Sequence, residues 1–91
     1  MQTIKAKQTG NAITYKAGRR VLCTITEREK VERYSVHALP ELKNGEKYYK
    51  LYTPVCAGCG FSSAWGTLEE AIKRAENYVK GLMFGEVEII Y

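Results

Sequence analysis

Thr67-Leu68-Glu69-Glu70-Ala71-Ile72-Lys73-Arg74-Ala75-Glu76-Asn77-Tyr78-Val79-Lys80-Gly81-Leu82 is the stretch on which the fold turns. Leu68, Ala71, Ile72, Ala75, Tyr78, Val79 and Leu82 recur at helical spacing and form one apolar stripe. Thr67 followed by Glu70 is a capping box: the hydroxyl can accept from the Glu70 amide, and the carboxylate can reach back to the amide of Thr67. Glu69–Lys73, Glu70–Arg74 and Glu76–Lys80 alternate in sign down the outer face in the favourable order. Gly81 is the expected stop. A helix with one apolar stripe needs one apolar surface to cover, and the rest of the chain must supply it.

That surface is written in strands. Residues 2–8 alternate, with Ile4 and Ala6 against Lys5 and Lys7. Thr9-Gly10-Asn11 is a turn, and residues 12–16 form a second strand. Residues 20–26 alternate again, and the expected split sets Val21, Cys23 and Ile25 against Leu22, Thr24 and Thr26. Residues 27–30 read as a charged connection. Residues 31–39 read as a fourth strand, with Tyr34, Val36 and Ala38 on one face and Pro40 ending it. Asn44-Gly45 is a tight-turn signal before a fifth strand over residues 47–53. Residues 55–66 read as an irregular loop, because Gly58, Gly60 and Gly66 fall within nine residues. Gly85 opens the last strand.

The expected order is β-β-β-β-β-α-β. The fold class is α+β: a two-layer domain over residues 1–91, an antiparallel sheet with one amphipathic helix packed on one face. The last strand should return beside or between earlier ones. The alternative is a partly open barrel with the helix plugging one end.

Composition removes several classes. The chain has 91 residues, 14 Lys+Arg, 10 Asp+Glu, a net charge of +4 and 45% apolar residues. That is one ordinary globular domain, too apolar and too weakly charged for a disordered chain. No apolar run approaches the ~18 residues of a membrane span. The start of the chain has no signal-peptide pattern, so a cytoplasmic protein without membrane contact is expected. All ten acids are glutamates and His37 is the only histidine. A Ser-His-Asp triad is impossible, and no other motif fixes a reaction, so a non-enzymatic protein is expected.

Charge is uneven. Residues 1–50 hold eleven basic and five acidic residues, a balance of +6, while residues 51–91 hold three and five, a balance of −2. Such asymmetry steers anionic partners to one side. Tyr48 and Tyr52 flank Lys50 on one strand face, and lysine interleaved with tyrosine can neutralise phosphates and stack bases. Lys5, Lys7, Arg20 and Arg33 extend this candidate surface. Its ordinary alternative is the amphipathic cover of a half-exposed sheet.

The three cysteines, without a secretory signal, argue against a disulfide framework. Cys56-Ala57-Gly58-Cys59-Gly60 resembles a zinc knuckle over five residues. Two residues between thiolates let both sulfurs face one metal, but the usual second pair is missing. Cys23 and His37 would have to complete the ligand set, and zinc is the one cofactor the sequence suggests. A redox pair lacks support, because the helix cap Thr67 stands well beyond Cys59. The bland alternative is packing of small cysteines under Trp65.

The leading expectation is a small binding module whose basic, tyrosine-rich sheet face contacts nucleic acid or another polyanion. The alternative is a protein-interaction or inhibitor module, such as a phage or mobile-element accessory, meeting an acidic protein surface. It would use the sheet edge or the 56–65 loop, with Phe61 and Trp65 as contacts. A lesser alternative is a small nucleotide bound at that glycine-rich loop. Partner identity and oligomeric state are not legible in the residues.

Overall fold

The computed structural model describes residues 2–32, 39–56, 59–83 and 86–91. The elements run β1 (Gln2–Thr9), β2 (Ala12–Ala17), β3 (Arg20–Glu29), β4 (Lys47–Cys56), β5 (Cys59–Trp65), α1 (Leu68–Leu82) and β6 (Val87–Ile90). They build one sheet in the order β5-β4-β3-β2-β1-β6, with α1 packed against it in a two-layer α+β fold. The first five strands form an antiparallel meander. β6 joins β1 in parallel, with Gln2 beside Val87 and Ile4 beside Ile89. The helix thus carries the chain from one sheet edge to the other, as a parallel pairing requires. The sheet is open at β5 and β6 and does not close into a barrel.

Two hairpins follow the turn chemistry. Gly10 and Gly18 sit at φ +59° and +63°, which an L side chain rarely adopts. The third turn differs from expectation. Val31 and Glu32 are not strand, and β3 pairs directly with β4. The connection between them is pinned at its base, where Lys30 N–H donates to Glu46 C=O (3.0 Å) and Gly45 N–H donates to Lys30 C=O (2.9 Å). Asn44-Gly45 therefore closes this connection rather than a two-residue hairpin. The centre of the expected fourth strand, residues 33–38, lies outside the described residues.

The fifth strand comes instead from the stretch read as a loop. β5 pairs along β4 from Tyr49–Trp65 through Tyr52–Ser62 to Cys56–Cys59. A cross-strand ladder outweighs the weak strand preference of Gly60 and of the serines beside it.

The helix matches its pattern closely. Thr67 accepts from Glu70 N–H at 3.2 Å, and Ala71, Ala75 and Val79 are buried along the stripe. Two alanines let α1 sit close to β3, β4 and β5. Leu68 and Leu82, at the ends of the stripe, stay exposed. Gly81 does not stop the helix; Leu82 is its last residue, and Met83 N–H still donates to Val79 C=O.

The sheet side of the core holds Ile4, Ala6, Ile13, Tyr15, Leu22, Cys23, Ile25 and Leu51. Leu22 is 1% exposed and Val21 39%, the reverse of the expected split. The cause is a β-bulge: Tyr15 pairs with Cys23 but Lys16 pairs with Val21, so Leu22 is the extra residue. The bulge shifts the alternation by one, and both Leu22 and Cys23 point inward. Tyr15 is fully buried, and its hydroxyl meets that of Tyr91 at 2.9 Å, with the rings edge to face. The Tyr91 hydroxyl in turn donates to Glu76 of α1.

Candidate functional site

The helix covers one face of the sheet, and the alternation of each strand defines the opposite, open face. β1 contributes Thr3, Lys5, Lys7 and Thr9; β2 contributes Ala12, Thr14 and Lys16. Beyond the bulge, β3 contributes Thr24, Thr26 and Arg28. β4 contributes Tyr48, Lys50 and Tyr52, and β5 contributes Ser62 and Ala64. Among the described residues of β1–β5 on this face there is no acid. Of the strand acids, Glu27 and Glu29 lie on the helix side, Glu27 ion-paired to Lys47 at 2.8 Å, whereas Glu88 of β6 pairs with Thr3 and so stands on the open face at its far edge.

The register arranges these groups in rows. Lys7, Thr14, Thr24, Tyr52 and Ser62 form one row across five strands. Thr9, Ala12, Thr26, Lys50 and Ala64 form the next, and Arg28 sits opposite Tyr48 beyond it. Lys5 and Lys16 face each other at the other end. Two basic groups thus flank a band of threonines. Thr24, Thr26, Arg28, Lys50, Tyr52 and Ser62 line one shallow depression. Tyr52 is 44% exposed, while Tyr48 and Lys50 are half-buried along their stems.

The structure brings together Lys5, Lys7, Tyr48, Lys50 and Tyr52 of the expected surface. It leaves out Arg20, which shares a face with Leu22 because of the bulge and lies on the helix side, at the sheet's end. Arg33 and His37, and the side chains of Cys56, Cys59 and Phe61, lie outside the described residues. Lys16 and Arg28 belong to the open face although they were not singled out from the sequence. Lys16 was legible in its alternation with Tyr15. Arg28 was legible by counting on from Thr24 and Thr26, had the third strand not been ended at Thr26.

Cys23 is 0% exposed on the core side, and burial pushes its thiol from 9.0 up to about 12, so it stays protonated and a poor metal ligand at neutral pH. The Cys56 and Cys59 backbones pair at the β4–β5 hairpin tip. Among the described residues no three His, Cys, Asp or Glu side chains converge as a metal site would need. Trp65 lies on the helix side, half-buried against the core, with the Arg74 guanidinium 5.0 Å from its ring centre. Its indole N–H has no hydrogen-bond partner among the described residues. Gly66 and Thr67 border a separate surface depression with Lys47, Tyr49, Leu68 and Glu69, where Glu69 puts negative charge beside the helix start. Among the described residues no helix is long and apolar enough to cross a membrane.

No protein-family model matches the chain, and neither does any curated protein or solved structure.

Proposed function

We propose that the open face of the sheet binds the backbone of single-stranded nucleic acid. One observation carries the reading: Lys5, Lys7, Lys16, Arg28 and Lys50 share a face on which β1–β5 place no acid among the described residues. Positive side chains gain affinity by displacing the counterions of a polyanion. Tyr48 and Tyr52 add ring faces for bases, which a single strand exposes and a duplex hides. Threonine hydroxyls between the basic groups can donate to phosphate oxygens. The role is that of a non-enzymatic module.

The test is fluorescence anisotropy with a labelled decathymidylate against NaCl concentration. Binding is expected at low salt, and log affinity should fall against log salt with a slope of about −0.7 per phosphate contacted. No binding at low salt would refute the reading, and so would binding indifferent to salt.

A second reading has its own support. β5 is an edge strand whose residues Cys59–Trp65 include no charged residue and no proline, whereas the β6 edge is short and carries Glu88. Uncharged edges are templates for strand addition. A protein partner pairing with β5 would be lost from a pull-down on Ser63→Pro while decathymidylate affinity is unchanged; a partner retained by that variant would rule out the edge.

A further inference from the structure

We infer that the depression spanning β3, β4 and β5 is a subsite for one nucleotide, with the phosphate between Arg28 and Lys50 and the base on Tyr52. The inference rests on the nucleic-acid reading and makes it specific to one part of the face. Thr24, Thr26, Arg28, Lys50, Tyr52 and Ser62 line this concavity together. Thr26 is directly opposite Lys50, and Thr24 and Ser62 flank Tyr52 on its two sides. Arg28 is the next open-face residue after Thr26, so its Cα lies diagonally across from that of Lys50, roughly 7–8 Å away. Lys50 and Tyr52 are two residues apart on one strand, about 6.6 Å at the backbone. Two cations, three hydroxyls and one exposed ring therefore surround a space on the scale of a phosphate and its attached base.

The other basic group cannot do this. Lys5, Lys7 and Lys16 share the open face of β1 and β2 with threonines and Ala12, and the ring of Tyr15 is buried on the helix side. That half can neutralise phosphates but offers no ring to stack on among the described residues. The depression in turn has no carboxylate or carboxamide side chain among its lining residues. The subsite therefore lacks the carboxamides that pair with adenine and the carboxylates that accept from cytosine, and it holds a base chiefly by its face on Tyr52.

The test uses the full chain. Amide NMR shifts are followed on adding uridine 5′-monophosphate, uridine or inorganic phosphate. Decathymidylate affinity is measured in parallel for wild type, Tyr52→Ala, Tyr52→Phe, Lys50→Gln and Lys7→Gln. The monophosphate should move the amides of Thr24, Thr26, Arg28, Lys50, Tyr52 and Ser62 and leave Lys5, Lys7 and Lys16 in place. Uridine and phosphate alone should act at the same residues more weakly. Tyr52→Ala should weaken decathymidylate about tenfold with an unchanged salt slope, and Tyr52→Phe should retain affinity. Lys7→Gln should instead lower the slope.

Monophosphate shifts spread evenly over the face, or a Tyr52→Ala affinity equal to wild type, overturn the subsite while decathymidylate binding keeps the broader reading. Monophosphate bound in the depression without any decathymidylate binding upholds the subsite and refutes the nucleic-acid reading. Uridine binding as tightly as its monophosphate removes the phosphate from the proposal and overturns it.

Discussion

Lys5 on β1 and Lys16 on β2 stand directly opposite one another, both exposed on the open face. Like charges in this position oppose strand pairing. Lys16→Thr should therefore raise stability by roughly 0.2–1 kcal/mol in urea unfolding. The same variant should lose affinity for decathymidylate and shorten the salt slope. A variant that gains stability with undiminished affinity would show that Lys16 takes no part in binding.

The bulge at Leu22 gives a contrast between adjacent residues. Leu22→Ala should cost about 2–5 kcal/mol, because it empties a buried site. Val21→Thr, on the open face, should change stability by no more than about 0.5 kcal/mol. A larger cost at Val21 than at Leu22 would contradict the bulge and restore simple alternation through the strand.

How much of this was legible in the chain divides by the kind of signal. The helix announced itself through a stripe, a cap and terminal charges that all agree. The first three strands did so through alternation and glycine turns. Residues 59–65 carry almost no pattern of their own; only the ladder to β4 makes them strand, and that pairing is not local. Of the strand expected over residues 31–39, Val31, Glu32 and Leu39 are not strand, and the alternating Tyr34, Val36 and Ala38 lie outside the described residues. The bulge has no marker residue at all, which is why Arg20 was assigned to the wrong face. The open face was legible for Lys5, Lys7, Tyr48, Lys50 and Tyr52 because alternation within one strand suffices to group them. Assembling the rows needed the register.

Alkaline pH should destabilise the protein. Burial raises the Cys23 thiol from 9.0 to about 12. The unfolded chain gives up that proton earlier, so the associated stability is complete below about pH 9 and is lost as pH rises toward 12, by at most ~1.4 kcal/mol per pH unit. Tyr15 and Tyr91 are also raised, chiefly by burial, and add a decline in the same direction above their ordinary value of 10.0. The urea midpoint of wild type should fall from pH 9 upward. Cys23→Ala should flatten the curve between pH 9 and 10 and keep the decline above it. A variant with the wild-type slope in that window would remove Cys23 from the account.

Tyr91 supplies a partner for a hydroxyl on a fully buried ring. Tyr91→Phe should strand the Tyr15 hydroxyl and cost about 1–3 kcal/mol. In the Tyr15→Phe background the same change should cost less, since no buried hydroxyl is left behind. Additive costs in this double-mutant cycle would mean the two hydroxyls do not cooperate.

Arg74 shields the only tryptophan of the chain. Arg74→Ala should shift Trp65 emission to longer wavelength and cost about 0.5–1 kcal/mol. Saturation with decathymidylate should leave that emission unchanged, because Trp65 and the open face lie on opposite sides of the sheet. A strong change on binding would place the nucleic acid against the helix layer instead.

The parallel pairing of β6 with β1 also sets an order in time. The meander from β1 to β5 is built from neighbours in the chain, and each hairpin can close quickly. Gln2 meets Val87 only after the helix has crossed the width of four strands, so this closure bears the largest entropic penalty and should come late. Until then β1 is a bare strand edge on a nascent sheet. During synthesis the molecule passes through a stage in which the side bearing Lys5 and Lys7 is already paired to β2 but has nothing along its other flank. The lysines on β1 then serve a second purpose, as charges that discourage a neighbouring chain from filling the place reserved for β6.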